Sequence, residues 1–155
     1  MKKLAALVLS GVLGMIVLTG CTTSMSYSYK VGTGDNVKVE LDTSDGLMLE
    51  NGLESGDEGF RVTEDDETIL QGVFVDEDTY DLYMEIVKYA DGVEVVEEDS
   101  ANGLTWVLYE FDGNAGMESN YIVWIDGSDT GIIMGSLEGT RAAKKAFNSL
   151  TFTVD

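Results

Sequence analysis

Val37, Val39 and Leu41 alternate with Lys38, Glu40 and Asp42, the two-residue period of a strand that buries one face. Tyr27, Tyr29 and Val31 keep the same period against Ser28 and Lys30, so strand character begins as early as residue 27. Asp45-Gly46 turns the chain, and Leu47-Met48-Leu49 is expected to return as the hairpin partner of residues 37–41. A polar, glycine-rich loop follows over 51–59. Residues 60–63 and 68–75 read as the next two strands, joined by the acidic turn Glu64-Asp65-Asp66-Glu67. The period then changes. Tyr80, Tyr83, Met84, Val87 and Ala90 recur at helical spacing, with Ile86 widening the stripe, which predicts a helix over about 77–90. Asp76, Glu77, Asp78 and Asp81 crowd its start, where carboxylates cap free N–H groups and complement the helix dipole. Gly92 suits the C′ position after its end.

Residues 93–97 and 104–111 form a hairpin around Asn102-Gly103, a pair suited to a two-residue turn with positive φ at both positions. Residues 121–125 and 131–135 form another, closed by Asp126-Gly127-Ser128-Asp129-Thr130. A final helix over 139–149 carries Ala142, Ala143, Ala146, Phe147 and Leu150 on one face, and 151–154 ends the chain as a strand. No repeat, proline-rich linker or second domain interrupts this order. Adjacent hairpins need no crossover connection, so the expected class is α+β: a mostly antiparallel sheet packed by two helices, about 77–90 and 139–149.

The start of the chain has a different pattern. Lys2 and Lys3 precede an almost unbroken apolar run over 4–18, which closes on Leu18-Thr19-Gly20-Cys21. That is the layout of a secretory leader with small residues before the cut, and the last four residues match the bacterial lipobox. The run falls short of the roughly 20 residues a spanning helix requires. The expectation is a signal peptide over 1–20, cut between Gly20 and Cys21, with diacylglycerol on the Cys21 sulfur and palmitate among the anchoring lipids. A lipidated tether over 21–35 and one acidic domain over 36–155 complete the expected organisation. The expected product is a lipoprotein held on the outer, extracytoplasmic face of a bacterial cell membrane.

Charge narrows the partners. Losing Lys2 and Lys3 with the leader leaves seven basic residues against 29 acidic ones, a net charge of −22. Nucleic acid and anionic headgroups are repelled by such a domain, whereas basic protein or envelope ligands and weakly held divalent cations are permitted. Cys21 is the sole cysteine and there is no histidine. Disulfides, thiolate metal sites, histidine ligands and histidine-based triads are therefore excluded, and no cofactor is expected.

Four segments resemble the PsbP-like fold, shared by an extrinsic subunit of photosystem II, a Ran-binding nuclear-import factor and many small bacterial lipoproteins. They are Gly59-Phe60-Arg61-Val62, Thr68-Ile69-Leu70-Gln71-Gly72-Val73-Phe74, the stretch from Tyr121 to Gly131, and Ala146-Phe147-Asn148-Ser149-Leu150-Thr151-Phe152. The resemblance covers roughly residues 59 to 155. It implies an antiparallel sheet flanked by helices and a binding or accessory role, and it brings no catalytic residues.

Reactive motifs are missing. There is no Gly-x-Ser-x-Gly and no Ser-x-x-Lys, and Gly32-Thr33-Gly34 lacks the third glycine of a dinucleotide loop. The expected function is thus a non-catalytic binding or accessory factor. Paired carboxylates of an envelope hydrolase are the first alternative. A calcium-responsive surface protein is the second, since Asp126-Gly127-Ser128-Asp129-Thr130-Gly131 spaces its side-chain oxygens as a calcium loop does. There Leu137 stands at the twelfth position and Glu138 one step late, so a hairpin turn is preferred, and no metal ligands are assigned. The acid runs Glu64-Asp65-Asp66-Glu67 and Glu97-Glu98-Asp99 are read as solvated charge. Trp106 and Trp124, with Tyr109, Phe111 and Tyr121, fall on neighbouring strands; the two tryptophans are expected on one face, as core beneath a helix.

Overall fold

The structure, a computed structural model, describes residues 12–14 and 23–155. Leu18, Thr19, Gly20 and Cys21 lie outside the described residues, so the expected lipid attachment and cleavage rest on sequence alone. The described elements run β1 (Val12–Gly14), β2 (Ser24–Lys30), β3 (Asn36–Asp42), β4 (Leu47–Asn51), β5 (Phe60–Glu64), β6 (Glu67–Val75), α1 (Glu77–Tyr89), β7 (Val93–Ala101), β8 (Leu104–Gly113), β9 (Gly116–Ile125), β10 (Gly131–Ser136), α2 (Thr140–Asn148) and β11 (Leu150–Val154). This is the α+β class. Every strand pair is antiparallel.

The strands form two sheets where the sequence suggested one. A small sheet has the order β1-β2-β3-β11, and a large one β4-β5-β6-β10-β9-β8-β7. Two expectations change as a result. The turn Asp45-Gly46 does not close a hairpin, because β3 pairs with β2 and β11 while β4 pairs with β5. Leu47 and Leu49 share a core with Val37, Val39 and Leu41, but they face those residues across it rather than beside them. The tether expected over 21–35 also shortens. Ser24–Lys30 pairs with β3 along its whole length, so the folded unit already includes β2. β1 pairs with the other edge of β2 and falls within the expected leader.

Turn chemistry fixes the hairpins as the sequence suggests. Asn102 and Gly103 take φ of 56° and 76°, and Asp65 and Asp66 take 51° and 68°. Each pair is a two-residue turn with both centres in the left-handed region, which short polar side chains tolerate better than branched ones.

The large sheet has a closed face and an open one. On the closed face, Phe60, Val62, Leu70, Leu108, Tyr121, Val123, Ile132 and Met134 meet the small sheet and the α2 residues Ala143, Ala146 and Phe147. Tyr121 stacks on Phe147 at 4.1 Å, with Trp106 edge-on to both. Lys144 and Lys145 of α2 pair with Glu97 of β7 and Glu64 of β5, fastening the helix across the sheet. On the open face, Val107, Tyr109 and Ile122 carry only α1, through Tyr80, Tyr83, Met84 and the buried Val87.

The two helices begin differently. Asp76 caps α1, accepting the Thr79 backbone N–H at 2.9 Å. Its far end closes at Ala90 in an extended conformation, so Gly92, with φ of 82°, lies one residue beyond the expected C′ position. Gly139 starts α2 at φ 88° with no side-chain cap.

Candidate functional site

Strand register builds a cleft on the open face. Glu50, Arg61, Gln71, Gly135, Asn120 and Tyr109 stand abreast across six strands, β4 to β8. The next row toward α1 is apolar: Val73, Ile133, Ile122 and Val107. One row further, Gly131 lies between Val75 and Trp124. Both Gly131 and Gly135 leave a gap in the side-chain layer. Tyr80 of α1 fills the first, its Cδ2 lying 3.2 Å from where a Cβ on Gly131 would stand. Nothing from α1 fills the second.

The gap at Gly135 is the floor of a cavity of about 540 Å³, within the range that small-molecule sites occupy. The C-terminal half of α1 and its cap overhang it with Tyr83, Ile86 and Ala90, and Leu53 from the 51–59 loop forms another part of the rim. That loop is closed by its own hydrogen bonds, Gly52 N–H to Gly59 O and Leu53 N–H to Asp57 O, both 2.8 Å. Tyr109 and Phe111 wall the β8 side. Burial, then Tyr83 and the Glu118 carboxylate, push the Tyr109 hydroxyl up to about 12, so it stays neutral at ordinary pH.

Polar groups enter at two ends. Toward β6, the Gln71 Oε1 is buried without a partner. Its cross-strand neighbour Arg61 is ion-paired to Glu50, and the Arg61 Nε–H is likewise buried and unpaired. That end therefore carries one free acceptor and one free donor. Toward β8, Glu118 stands abreast of Phe111 and Val93, accepts a long bond from Asn120 Nδ2 (3.5 Å), and shares the cavity with Asp91. Among the described residues, no lysine, arginine, serine or cysteine lines the cavity.

The residues singled out by sequence are dispersed. Trp106 and Trp124 lie on opposite faces, not one. Trp106 is abreast of Val123 on the closed face, while Trp124 is abreast of Thr105 and lies 5.0 Å from Tyr80 of α1. Each is under a helix, but a different one. Tyr121 belongs to the closed face, and Tyr109 and Phe111 to the cleft. The loop 126–131 is a hairpin connection whose polar groups serve the fold. The Ser128 hydroxyl donates to Ile125 O (2.8 Å), and the Asp129 N–H and Thr130 hydroxyl donate to Asp35 Oδ2 (3.0 and 2.7 Å). Among the described residues no cluster of three or more acids, cysteines or histidines is placed to hold a metal. The acid runs lie on turns and edges, with Glu64 and Glu97 paired to the α2 lysines.

Gln71, Asn120, Glu118 and Gly135 were not singled out. The available signal was polar and glycine positions on otherwise apolar strands, since β10 and β9 from Ser119 onward are largely buried yet carry Gly135 and Asn120, with the half-buried Glu118 just before them.

No family model, curated protein or solved structure matches the chain. Among the described residues no helix is long and apolar enough to cross a membrane.

Proposed function

We propose that the chain is a bacterial lipoprotein, anchored through lipid on Cys21 to the outer face of the cell membrane. Its domain is a non-catalytic binding or accessory factor that receives its ligand in the cleft over Gly135. The observation that carries the anchoring is Leu18-Thr19-Gly20-Cys21 directly after a basic and apolar leader. Two acyl chains or more suffice for stable attachment where one does not. Cleavage before Cys21 removes β1 and makes β2 an edge of the small sheet. Since β2 starts at Ser24, the chain between anchor and sheet spans at most about 10 Å. The small sheet then lies near the bilayer, and the cleft opens on the opposite face of the large sheet.

Support for a binding role is the cleft's composition: apolar and aromatic walls with few polar groups, and no nucleophile with an adjacent base. We also retain the PsbP-like fold as a proposal, on the residue patterns over 59–155 and the helix-flanked antiparallel sheet.

The test is Cys21→Ser in full-length protein, followed by cell fractionation and intact mass. Wild type should be found in membranes with acyl mass on an N-terminal cysteine, and the variant should be released or remain uncut. A variant that is processed and membrane-bound like wild type refutes the anchoring.

A further inference from the structure

We propose that the cleft over Gly135 binds a small organic ammonium ion, an amine on an apolar stem, with its charge at the Glu118 end. The inference rests on the reading of this cleft as the binding site, and not on the lipid anchor.

Three independent features set the sign of the ligand. First, among the described residues the fixed charges lining the cleft are Glu118 and Asp91, and no cationic side chain opposes them there. Arg61, the nearest base along the row, is committed to Glu50, and Lys88 lies over the ring of Tyr89 at 5.2 Å. Second, α1 ends over the cavity, and the C-terminus of a helix carries partial negative charge that favours cations. Third, Tyr83, Tyr109 and Phe111 present rings to the same space, and the faces of aromatic rings attract ammonium groups.

An anion would meet these carboxylates inside a chain of net charge −20. A neutral apolar ligand would strip water from Glu118 and leave its charge uncompensated, which is unfavourable. An amine satisfies both conditions. Its stem replaces water along Ile133, Val73 and Ile86, while its N–H groups donate to Glu118. At the Gln71 end the free acceptor is a neutral amide and the free donor belongs to the Arg61 guanidinium, whose charge is paired with Glu50, so this end adds no net charge and leaves the preference unchanged.

The test titrates full-length protein in detergent with three probes of one shape: 3-phenylpropylamine, 3-phenylpropan-1-ol and 3-phenylpropionate. Calorimetry on Glu118→Gln, Phe111→Leu and the remote Asp66→Asn runs alongside, with melting curves to establish folding. The amine should bind at least about tenfold more tightly than the alcohol or the acid. Glu118→Gln should weaken amine binding about tenfold and Asp66→Asn less than about twofold. Phe111→Leu should weaken the amine more than the alcohol. The proposal is overturned if the three probes bind alike, if none binds, or if Glu118→Gln and Asp66→Asn reduce amine binding equally. That last result would mean diffuse charge rather than a site. Failure here leaves the outcome for Cys21→Ser untouched, so the two readings fall separately.

Discussion

The same strands of the large sheet present two faces that are finished in opposite ways. On the closed face, Phe60, Tyr121 and Met134 are almost fully buried beneath the small sheet and α2. On the open face α1 packs against Ile122, Trp124 and Tyr109 but places no side chain over Gly135. Its last turns leave Ile86 42% and Tyr89 72% exposed. Strand β10 shows the contrast within four residues, since Gly131 receives Tyr80 and Gly135 receives nothing from the helix. A sheet face becomes core or cleft according to what its neighbours place above each gap. The polar side chains of the cleft, Gln71, Asn120 and Glu118, lie on the open face, whereas Ser119 on the closed face is buried and hydrogen-bonded to Thr140 at the start of α2.

The largest test of this contrast is truncation of one aromatic residue on each face. Phe60 is wholly buried and touches Phe74 and Phe152, with ring centroids 5.8 and 5.9 Å away. Phe60→Ala should cost about 3–5 kcal/mol in urea denaturation, because the surroundings cannot collapse into the space. Phe111→Ala, on the half-open wall of the cleft, should cost about 1–2 kcal/mol. Equal losses would mean that the open face is as tightly packed as the closed one.

The two glycines sharpen the comparison at smaller scale. A Cβ on Gly131 would lie 3.2 Å from Tyr80, from the Val123 carbonyl oxygen and from Val75, and the backbone oxygen cannot move aside. Gly131→Ala should cost about 1–3 kcal/mol. At Gly135 the Cβ meets only the Asn120 side chain, Oδ1 at 2.7 Å, which can rotate into the cavity. Gly135→Ala should change stability by less than about 1 kcal/mol. Thermal melts of both variants decide it, and a reversed order would refute the assignment of filled and unfilled gaps.

Local chemistry was legible in the sequence, and placement across the core was not. Asn102-Gly103, Asp65-Asp66 and the carboxylates before Tyr80 specify turns and a helix start by nearest-neighbour physics, and the structure has them there. Asp45-Gly46 specifies a turn too, but a turn does not say whether the strands it joins will pair or face each other. The tryptophan error is one of register. The β8–β9 hairpin closes with Gly113 opposite Gly116, so residues with opposite parity share a face. Without recognising that two-residue turn at Asn114-Ala115, two even-numbered tryptophans appear to share a side. The cleft was harder still to foresee, since it depends on where α1 ends relative to Gly135, which no local pattern records.

The helices extend the contrast to how each face is held, and give the smallest expected effect. α2 lacks a side-chain cap and is retained by burying Ala143, Ala146 and Phe147. α1 buries only Val87 fully and relies more on its start, where hydrogen bonds from the Thr79 hydroxyl and backbone N–H hold the Asp76 carboxyl below its usual range. A lowered folded-state value means that this contribution is complete above the ordinary aspartate range, near pH 4, and is lost as pH falls through the folded value. Asp76→Ala should cost about 1 kcal/mol. Hydrogen exchange should show the loss as faster opening of the first turn of α1, with α2 unchanged. Because α1 roofs the cleft, the same variant should loosen amine binding without altering the closed core. If α2 amides accelerate as much as those of α1, the two faces unfold as one unit, and the division between a held core and a locally capped lid is wrong.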